Sequence, residues 1–175
     1  EYEELKQTTL AMGGGRTVTT KYLNHSLVCL GYRFEYQGKT IVTAFDHEPF
    51  RNLFPTDPDD PSYDEEAARE GEAAAREENE RLLQFFNGAD ILVHDTQYTT
   101  EEFEKHLGWG HSSYEYAMET ARQAKVKKLI FFHHEPNNTD DQLASLEEYY
   151  KKEAGVKTQT QMEIIMAREG LFLEA

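Results

Sequence analysis

The sequence predicts an α/β domain in which helices cover a sheet, and two observations carry this prediction. Short apolar runs rich in β-branched residues recur along the chain and are typical of strands. Segments of helix-forming composition separate the later runs, so strands and helices alternate, as they do in layered α/β folds. With 175 residues, the chain has the length of one ordinary domain.

The first third of the chain is predicted to be β-structure followed by a loop. Residues 16–23 alternate in polarity after three glycines, which indicates a strand that follows a turn. Residues 27–36 and 40–45 flank a short turn that contains one glycine, so they predict a β-hairpin. Four of the five prolines fall between Pro49 and Pro61, and proline at this density predicts a loop.

The remainder of the chain is predicted to alternate helices with strands. The run 63–86 is rich in Ala and Glu and forms the longest predicted helix. We predict further strands at 89–95, 127–132, 163–167 and 171–174, and further helices at 99–107, 114–124 and 139–153.

The charge of the chain is strongly acidic and unevenly distributed. The formal net charge is −15, and residues 57–80 alone carry eleven acidic side chains against Arg69 and Arg76, a local charge of −9. This acidic segment is interpreted as a solvated helix face or a mobile insertion. Because such charge repels phosphate backbones, it disfavours nucleic acid as a partner unless a local basic patch exists.

Two classes of protein are excluded by composition. The single cysteine, Cys29, cannot form an intrachain disulfide, and no apolar run approaches the ~20 residues that a membrane span needs. The opening residues do not have the pattern of a secretory signal, so we expect a cytoplasmic protein with no membrane partner. The absence of an initiator Met indicates a processed chain or an excerpt of a longer one.

Imidazole and carboxylate groups recur at the ends of predicted strands. They are His25, Asp46 with His47, His94 with Asp95, and His133 with His134. Strand ends meet at one edge of an open α/β sheet, so this pattern suits a hydrolytic metal site with N and O ligands. Each residue alone is equally compatible with a hydrogen-bonded histidine or a turn-capping aspartate. Neighbouring strand residues face opposite ways, so at most one of His133 and His134 is expected in a shared site.

Three separated segments of the chain carry these residues, in the order NHSLVCLGYRFEYQGKTIVTAFDHEP, GADILVHDTQYTTEEFEKHLGWGHSS and KKLIFFHHEPNNTDD. Together they resemble the metallo-β-lactamase family of hydrolases, in particular its tRNase Z-like and phosphodiesterase-like branch. The resemblance implies that residues 1–175 are the C-terminal half of a four-layer αββα sandwich, with an acidic insertion at about 55–86. The family's main metal motif, His-x-His-x-Asp-His, is absent from the chain. The resemblance therefore implies that a missing N-terminal half supplies it.

The resemblance also implies a site for two divalent metal ions. His25 matches a histidine that binds one metal, Asp46 the aspartate that bridges both, and His134 a histidine of the second metal, with His133 as the alternative. Zn is the first expectation for the metal, and Mn or Fe fit the same N and O ligands. His47 replaces the usual Thr after the bridging aspartate and could add or misplace a ligand.

HDTQY and GHSS resemble two paired family motifs that transfer a proton to the leaving oxygen. The resemblance implies that Asp95, in place of the usual Glu, holds the imidazole of His111 and raises its pKa. His111 then protonates the alkoxide that departs when a metal-bridging hydroxide attacks phosphorus. Trp109, between two glycines, could bind substrate by stacking on a base, or could simply pack under its loop.

Two functions remain open at this level. In the first, the complete protein is a binuclear metal-dependent hydrolase that cleaves a phosphodiester, and this chain alone is inactive. In the second, the chain is a non-enzymatic half-domain that binds a complementing partner through its uncovered sheet face. The acidic charge favours a small phosphoester over RNA as substrate, and the sequence is compatible with a homo-oligomer.

Overall fold

A computed structural model of the chain describes residues 7–157 and 162–174, and within these ranges it contains one mixed sheet and four helices. The strands are β1 (Thr9–Ala11), β2 (Thr17–Leu23), β3 (Cys29–Tyr36), β4 (Lys39–Ala44), β5 (Ile91–Asp95), β6 (Lys128–Phe132) and β7 (Glu163–Met166). The helices are α1 (Glu65–Phe86), α2 (Thr100–Phe103), α3 (Tyr114–Gln123) and α4 (Asp140–Lys157).

The order of the strands in the sheet follows the order of the chain. β1 to β4 form an antiparallel meander, whereas β4 to β7 are parallel to one another. Parallel neighbours need crossover connections, and α1, α3 and α4 provide them. Because crossovers share one hand and the strands advance in one direction, the three helices lie on the same face of the sheet.

The predicted hairpin is confirmed, and its turn explains its register. β3 and β4 are joined through Gln37 and Gly38, which have φ angles of 49° and 75°. Two consecutive residues with positive φ are typical of the tight turn whose twist matches that of the flanking strands. The register then pairs Tyr36 with Lys39 and Tyr32 with Thr43.

The hydrophobic core lies between the helices and one face of the sheet. Val42, Leu92, Leu129 and Ile164 occupy matching positions on β4 to β7 and are buried side by side. The helices cover them with Leu82 and Phe86 of α1, Ala117 and Ala121 of α3, and Tyr150 and Ala154 of α4. Each helix therefore packs its apolar side against the same face of the sheet.

The opposite face of the sheet carries aromatic side chains but no helix of the described residues. Phe34 of β3, Phe45 after β4 and Phe132 of β6 are partly exposed there, and the rings of Phe45 and Phe132 lie 4.9 Å apart. A sheet with helices on one face only is the layering expected for one half of an αββα sandwich. The predicted fold class is confirmed in this respect.

The acidic segment is fastened to the domain by side-chain amides. Asn52 donates a hydrogen bond to the carbonyl oxygen of Ala68 at 2.8 Å, and Asn79 both donates to and accepts from the backbone of Phe50. Gly71 lets the loop approach, because a Cβ there would lie 2.2 Å from Oδ1 of Asn52. The first half of α1 is mostly solvent-exposed, as predicted, while its second half enters the core.

Three details differ from the sequence prediction. The short segment Thr9–Ala11 forms strand β1 because it pairs with β2, a contact that its composition does not signal. The predicted strand at 171–174 is wrong, since these residues are not in a ladder and Glu174 instead accepts a hydrogen bond from Lys128. The helix predicted at 99–107 ends at Phe103, where tighter i→i+3 hydrogen bonds replace the helical ones.

None of the helices within residues 7–157 and 162–174 combines the length and the apolar character required to cross a bilayer.

Leu82→Ala should lower the free energy of unfolding by about 2–5 kcal/mol, because Leu82 is fully buried between α1 and the sheet. Urea denaturation of the purified protein measures this loss. Leu107→Ala is the matched control, since 45% of Leu107 is exposed and its truncation should cost far less. Equal losses for the two variants would contradict the assignment of the core.

Candidate metal centre

The ends of three parallel strands bring four polar side chains together. Asp46 follows β4, Asp95 ends β5, His133 follows β6, and His111 precedes α3. One potential ligand atom from each of the four lies within 4.8 Å of the others. The parallel pairing of β4, β5 and β6 causes this convergence, because their carboxyl ends share one edge of the sheet.

The structure brings His133, and not His134, to this cluster. β6 ends at Phe132, and the backbone of His133 has a φ of 61°, so the chain turns sharply there. Nε2 of His133 lies 3.2 Å from Oδ1 of Asp46, whereas Nε2 of His134 lies 3.0 Å from the carbonyl oxygen of Ala167 beyond β7. The two rings diverge, as expected for neighbouring residues. The metal role of either stays a prediction, and the geometry favours the alternative, His133.

His25 lies beside the cluster, in the loop between β2 and β3. Its ring centroid is 5.4 Å from that of His111, and its Nδ1 is 3.1 Å from the carbonyl oxygen of Gly110. A carbonyl oxygen can only accept, so Nδ1 carries the proton and Nε2 keeps its lone pair. This arrangement is typical of metal-binding histidines, which donate their other ring N–H to a backbone carbonyl or a carboxylate.

Asp95 is fully buried, and both of its carboxylate oxygens accept hydrogen bonds. Nδ1 of His111 donates at 2.7 Å, and backbone N–H groups of Ser112, Gln97 and His47 donate at 3.1, 3.2 and 3.3 Å. These four donors occupy the directions in which a carboxylate accepts. The contacts of Asp95 are those of a group that orients the imidazole of His111.

The electrostatics of the site favour the protonated form of His111. The hydrogen bond that His111 donates to Asp95 raises the pKa of His111 above its ordinary value, and partial burial opposes this effect. The negative charges of Asp95, Asp46 and Glu48 raise the pKa further. With Nδ1–H held by Asp95, the Nε2–H group is the one that can be given to a neighbouring oxygen.

His47 and His94 lie behind the cluster rather than in it. Both are fully buried, with ring centroids 5.6 Å apart, and burial lowers the pKa of each. Nδ1 of His47 accepts from the backbone N–H of Asn24, and Nδ1 of His94 donates to the carbonyl oxygen of Asp95. The two neutral rings therefore hold backbone groups of Asn24 and Asp95 in place behind the site. The sequence had left a ligand role open for His47, and its ring is not among the four that converge.

Trp109 is displayed at the surface beside the cluster. Its side chain is 61% exposed, and its ring contacts the edge of His106, whose own ring stacks on Tyr98 at 4.6 Å. The alternative in which Trp109 packs under its loop does not match this exposure. A role in substrate binding stays a prediction.

Two buried residues of the site were not singled out from the sequence. Ser112 donates a hydrogen bond from its hydroxyl to the carbonyl oxygen of His47, which ties the segment before α3 to the end of β4. Glu48 accepts hydrogen bonds from the backbone of Gly108 and Gly110. The only signal for Glu48 in the sequence was its position two residues after Asp46, at a strand end.

The donor set of the centre fits a divalent metal ion. Asp46 offers carboxylate oxygens, His133 offers an imidazole nitrogen, and Nε2 of His25 has a free lone pair. Imidazole and carboxylate together suit Zn, Mn and Fe, and the absence of thiolates from the cluster agrees with the single cysteine.

Parts of the sequence are similar to curated proteins named ribonuclease Z. The chain is 42% identical over 62 residues to the ribonuclease Z of Thermoplasma acidophilum. This match covers 35% of this chain and 20% of that protein. The chain is 38% identical over 71 residues to the ribonuclease Z of Archaeoglobus fulgidus, which covers 41% of this chain and 23% of that protein. The matches thus span less than a quarter of these relatives. No protein-family model matches the sequence.

Solved structures share the fold along nearly the whole chain. The metallo-β-lactamase fold protein YhfI from Bacillus subtilis matches with a TM-score of 0.60 and 17% identity, over 96% of this chain and 53% of its own. Zn-bound PqqB from Methylobacterium extorquens matches with a TM-score of 0.58 and 14% identity, over 97% of this chain and 54% of its own. The short form of human tRNase Z matches with a TM-score of 0.55 and 14% identity, over 93% of this chain and 44% of its own.

This chain spans about half of each of these structures. One sheet with helices on one face is what half of an αββα sandwich contains, and part of the sequence is similar to ribonuclease Z. The chain is therefore a metallo-β-lactamase-fold protein that resembles the tRNase Z-like branch of that fold.

Proposed function

We propose that this chain forms part of a metal-dependent hydrolase that cleaves phosphodiester bonds. The observation that carries the proposal is the convergence of Asp46, His133 and the hydrogen-bonded pair Asp95–His111 at one edge of the sheet. Similarity to proteins named ribonuclease Z supports hydrolysis of a phosphodiester as the reaction class. A cluster with a purely structural role would not need the partly exposed imidazole of His111 beside Asp95, nor the raised pKa of His111.

Two divalent ions are proposed for the complete protein, with Zn as the first expectation. In this chain His25, Asp46 and His133 would hold them, and His134 is the alternative for the last position. Bound divalent ions supply Lewis-acid activation of water and of the phosphoryl oxygens. Zn in the related fold of PqqB supports the choice of metal.

His111 is proposed to donate a proton to the leaving oxygen. Its Nδ1–H is held by Asp95 at 2.7 Å, so the ring is fixed in one orientation, and it stacks on the ring of His133 with the centroids 4.5 Å apart. Asp95 also stabilises the imidazolium, which raises the pKa of His111 and favours the form that carries the proton. The two residues act as a general acid and the group that orients it.

A complementing half of the fold is proposed as the partner of this chain. The sheet face that bears Phe34, Phe45 and Phe132 has no helix layer among the described residues, and the fold relatives are about twice as long. Burial of this apolar face would contribute a large favourable free energy. The same half would supply the remaining metal ligands, which Asp46 and the histidines here do not provide. The competing proposal, a non-enzymatic half-domain, predicts a complex without hydrolysis.

A small phosphodiester is the proposed substrate. The net charge of −15 opposes long-range attraction of RNA, while metal ions would supply positive charge locally. Trp109 could then stack on a base of the substrate. The ribonuclease Z relatives make RNA the natural competitor, so a chromogenic phosphodiester and an RNA oligonucleotide should be assayed in parallel.

Asp46→Ala and His133→Ala should each remove bound metal, because they delete proposed ligands at the centre of the cluster. Elemental analysis of the purified protein measures the stoichiometry. His134→Ala is the matched control, since His134 contacts Ala167 outside the cluster. Loss of metal in His134→Ala but not in His133→Ala would reverse the assignment.

His111→Ala should lower the turnover of the complete enzyme on a chromogenic phosphodiester by roughly 100-fold or more with metal content unchanged. The proposed proton donor is lost while the proposed ligands remain. His106→Ala, a nearby histidine that stacks on Tyr98, is the control and should have a small effect. If metal and activity fall together, His111 is a ligand and not the acid.

Asp95→Asn should lower the pKa of His111, because a neutral amide cannot stabilise the imidazolium. NMR titration of the metal-free protein follows the imidazole directly. Since the pKa is raised in the folded state, the Asp95–His111 pair stabilises the fold fully below about pH 6.5, and this contribution disappears as the pH rises through the raised pKa. An unchanged titration midpoint would remove Asp95 from this role.

A further inference from the structure

We infer that Glu48 is a positioning residue that fixes the orientation and tautomer of His25 through the loop at Gly108–Gly110. The inference rests on the proposed function in one respect, the role of His25 as a metal ligand. Its geometric part concerns only this chain and can be tested without metal.

Glu48 is a buried carboxylate whose partners are mainly backbone amides. Only 3% of the residue is exposed. The N–H of Gly108 donates to both of its oxygens at 2.9 Å, and the N–H of Gly110 donates to Oε2 at 2.9 Å. Arg51, whose side chain is partly exposed, adds an ion pair at 3.4 Å. Burial of a carboxylate is costly unless such donors compensate, so the loop and Glu48 depend on each other.

The carboxylate of Glu48 stabilises the conformation of the loop at Gly108–Gly110. Gly108 and Gly110 have φ angles of 87° and 91°, in the region that favours glycine. This backbone directs two N–H groups inward to Glu48 while Trp109, between them, points outward. Without an acceptor at this position, both N–H groups would lose their partner, and that of Gly110 is buried.

Gly110 transmits this constraint to His25. Its N–H is held by Glu48, and its carbonyl oxygen lies 3.1 Å from Nδ1 of His25. The contact is close enough that a Cβ on Gly110 would lie 2.1 Å from that same nitrogen. Both peptide groups of Gly110 are therefore fixed, one by Glu48 and the other against the imidazole.

The consequence is a histidine prepared for a metal before any metal binds. The carbonyl of Gly110 requires the proton on Nδ1, which leaves the lone pair on Nε2. Hydrogen bonds of this kind fix the tautomer and the ring orientation of metal ligands, and their loss typically weakens metal binding roughly 10- to 100-fold. Glu48 does not contact His25 itself; it acts through Gly110, because it sets the position of the Gly110 carbonyl group.

The test compares wild-type protein with Glu48→Ala and Glu48→Gln. Nitrogen-15 chemical shifts of the imidazoles report the tautomer of His25 in the metal-free protein. Zn²⁺ titration calorimetry then reports affinity, and acrylamide quenching of Trp109, the one tryptophan in the chain, reports the order of the loop. Glu48→Gln keeps one acceptor oxygen and serves if Glu48→Ala does not fold.

Asp90→Asn is the matched control. Asp90 is also a buried carboxylate, and it accepts from the backbone N–H of Thr40 and from Lys127, at the opposite edge of the sheet. Its substitution should lower stability without changing His25 or Zn²⁺ affinity.

In the Glu48 variants we expect a mixed tautomer of His25, altered quenching of Trp109 and Zn²⁺ affinity reduced at least 10-fold. A folded Glu48 variant with wild-type tautomer and quenching would overturn the inference. A changed tautomer in the variants, together with no Zn²⁺ binding by the complete wild-type protein, would support the positioning role and contradict the proposed function instead. A changed tautomer with unchanged Zn²⁺ affinity would overturn the link between Glu48 and the metal.

Discussion

The arrangement of the candidate centre depends on the buried carboxylate of Asp95. It ends β5 and accepts hydrogen bonds from the end of β4, from its own following turn and from the segment that precedes α3. A buried carboxylate is tolerated only when its oxygens are satisfied, so the three segments must converge on it. His111 is the fourth donor, and its position is fixed by the same requirement.

Glu48 repeats this principle on the other side of the centre. Asp95 organises the segment that carries His111, and Glu48 organises the loop that faces His25. Both carboxylates bond mainly to backbone N–H groups, which makes the loop geometry insensitive to the mobility of surface side chains. The carboxylates of Asp95 and Glu48 thereby orient the imidazoles of the centre without themselves having to contact a metal or a substrate.

The other constraint on the molecule is the one-sided covering of its sheet. α1, α3 and α4 bury Val42, Leu92 and Leu129 on one face, while the other face exposes Phe34, Phe45 and Phe132. Phe45 and Phe132 directly precede Asp46 and His133. A layer laid on this face would therefore reach the centre, which is why a complementing half and a complete metal site belong to one proposal.

The sequence by itself determined the β-hairpin, the long acidic helix, the alternating second half and the fold, because each follows from local periodicity, turn residues or motifs. It also brought His25, Asp46, Asp95 and His111 forward as residues at strand ends and loop positions. Only the tertiary structure showed that His133, and not His134, lies beside Asp46, since the sharp turn after β6 sets the direction of each ring. It alone revealed Glu48, because a carboxylate sixty residues from the glycines that it holds leaves no periodic signal. Local chemistry can be read along the chain, whereas the convergence of distant backbone groups on a buried charge exists only once the sheet has formed.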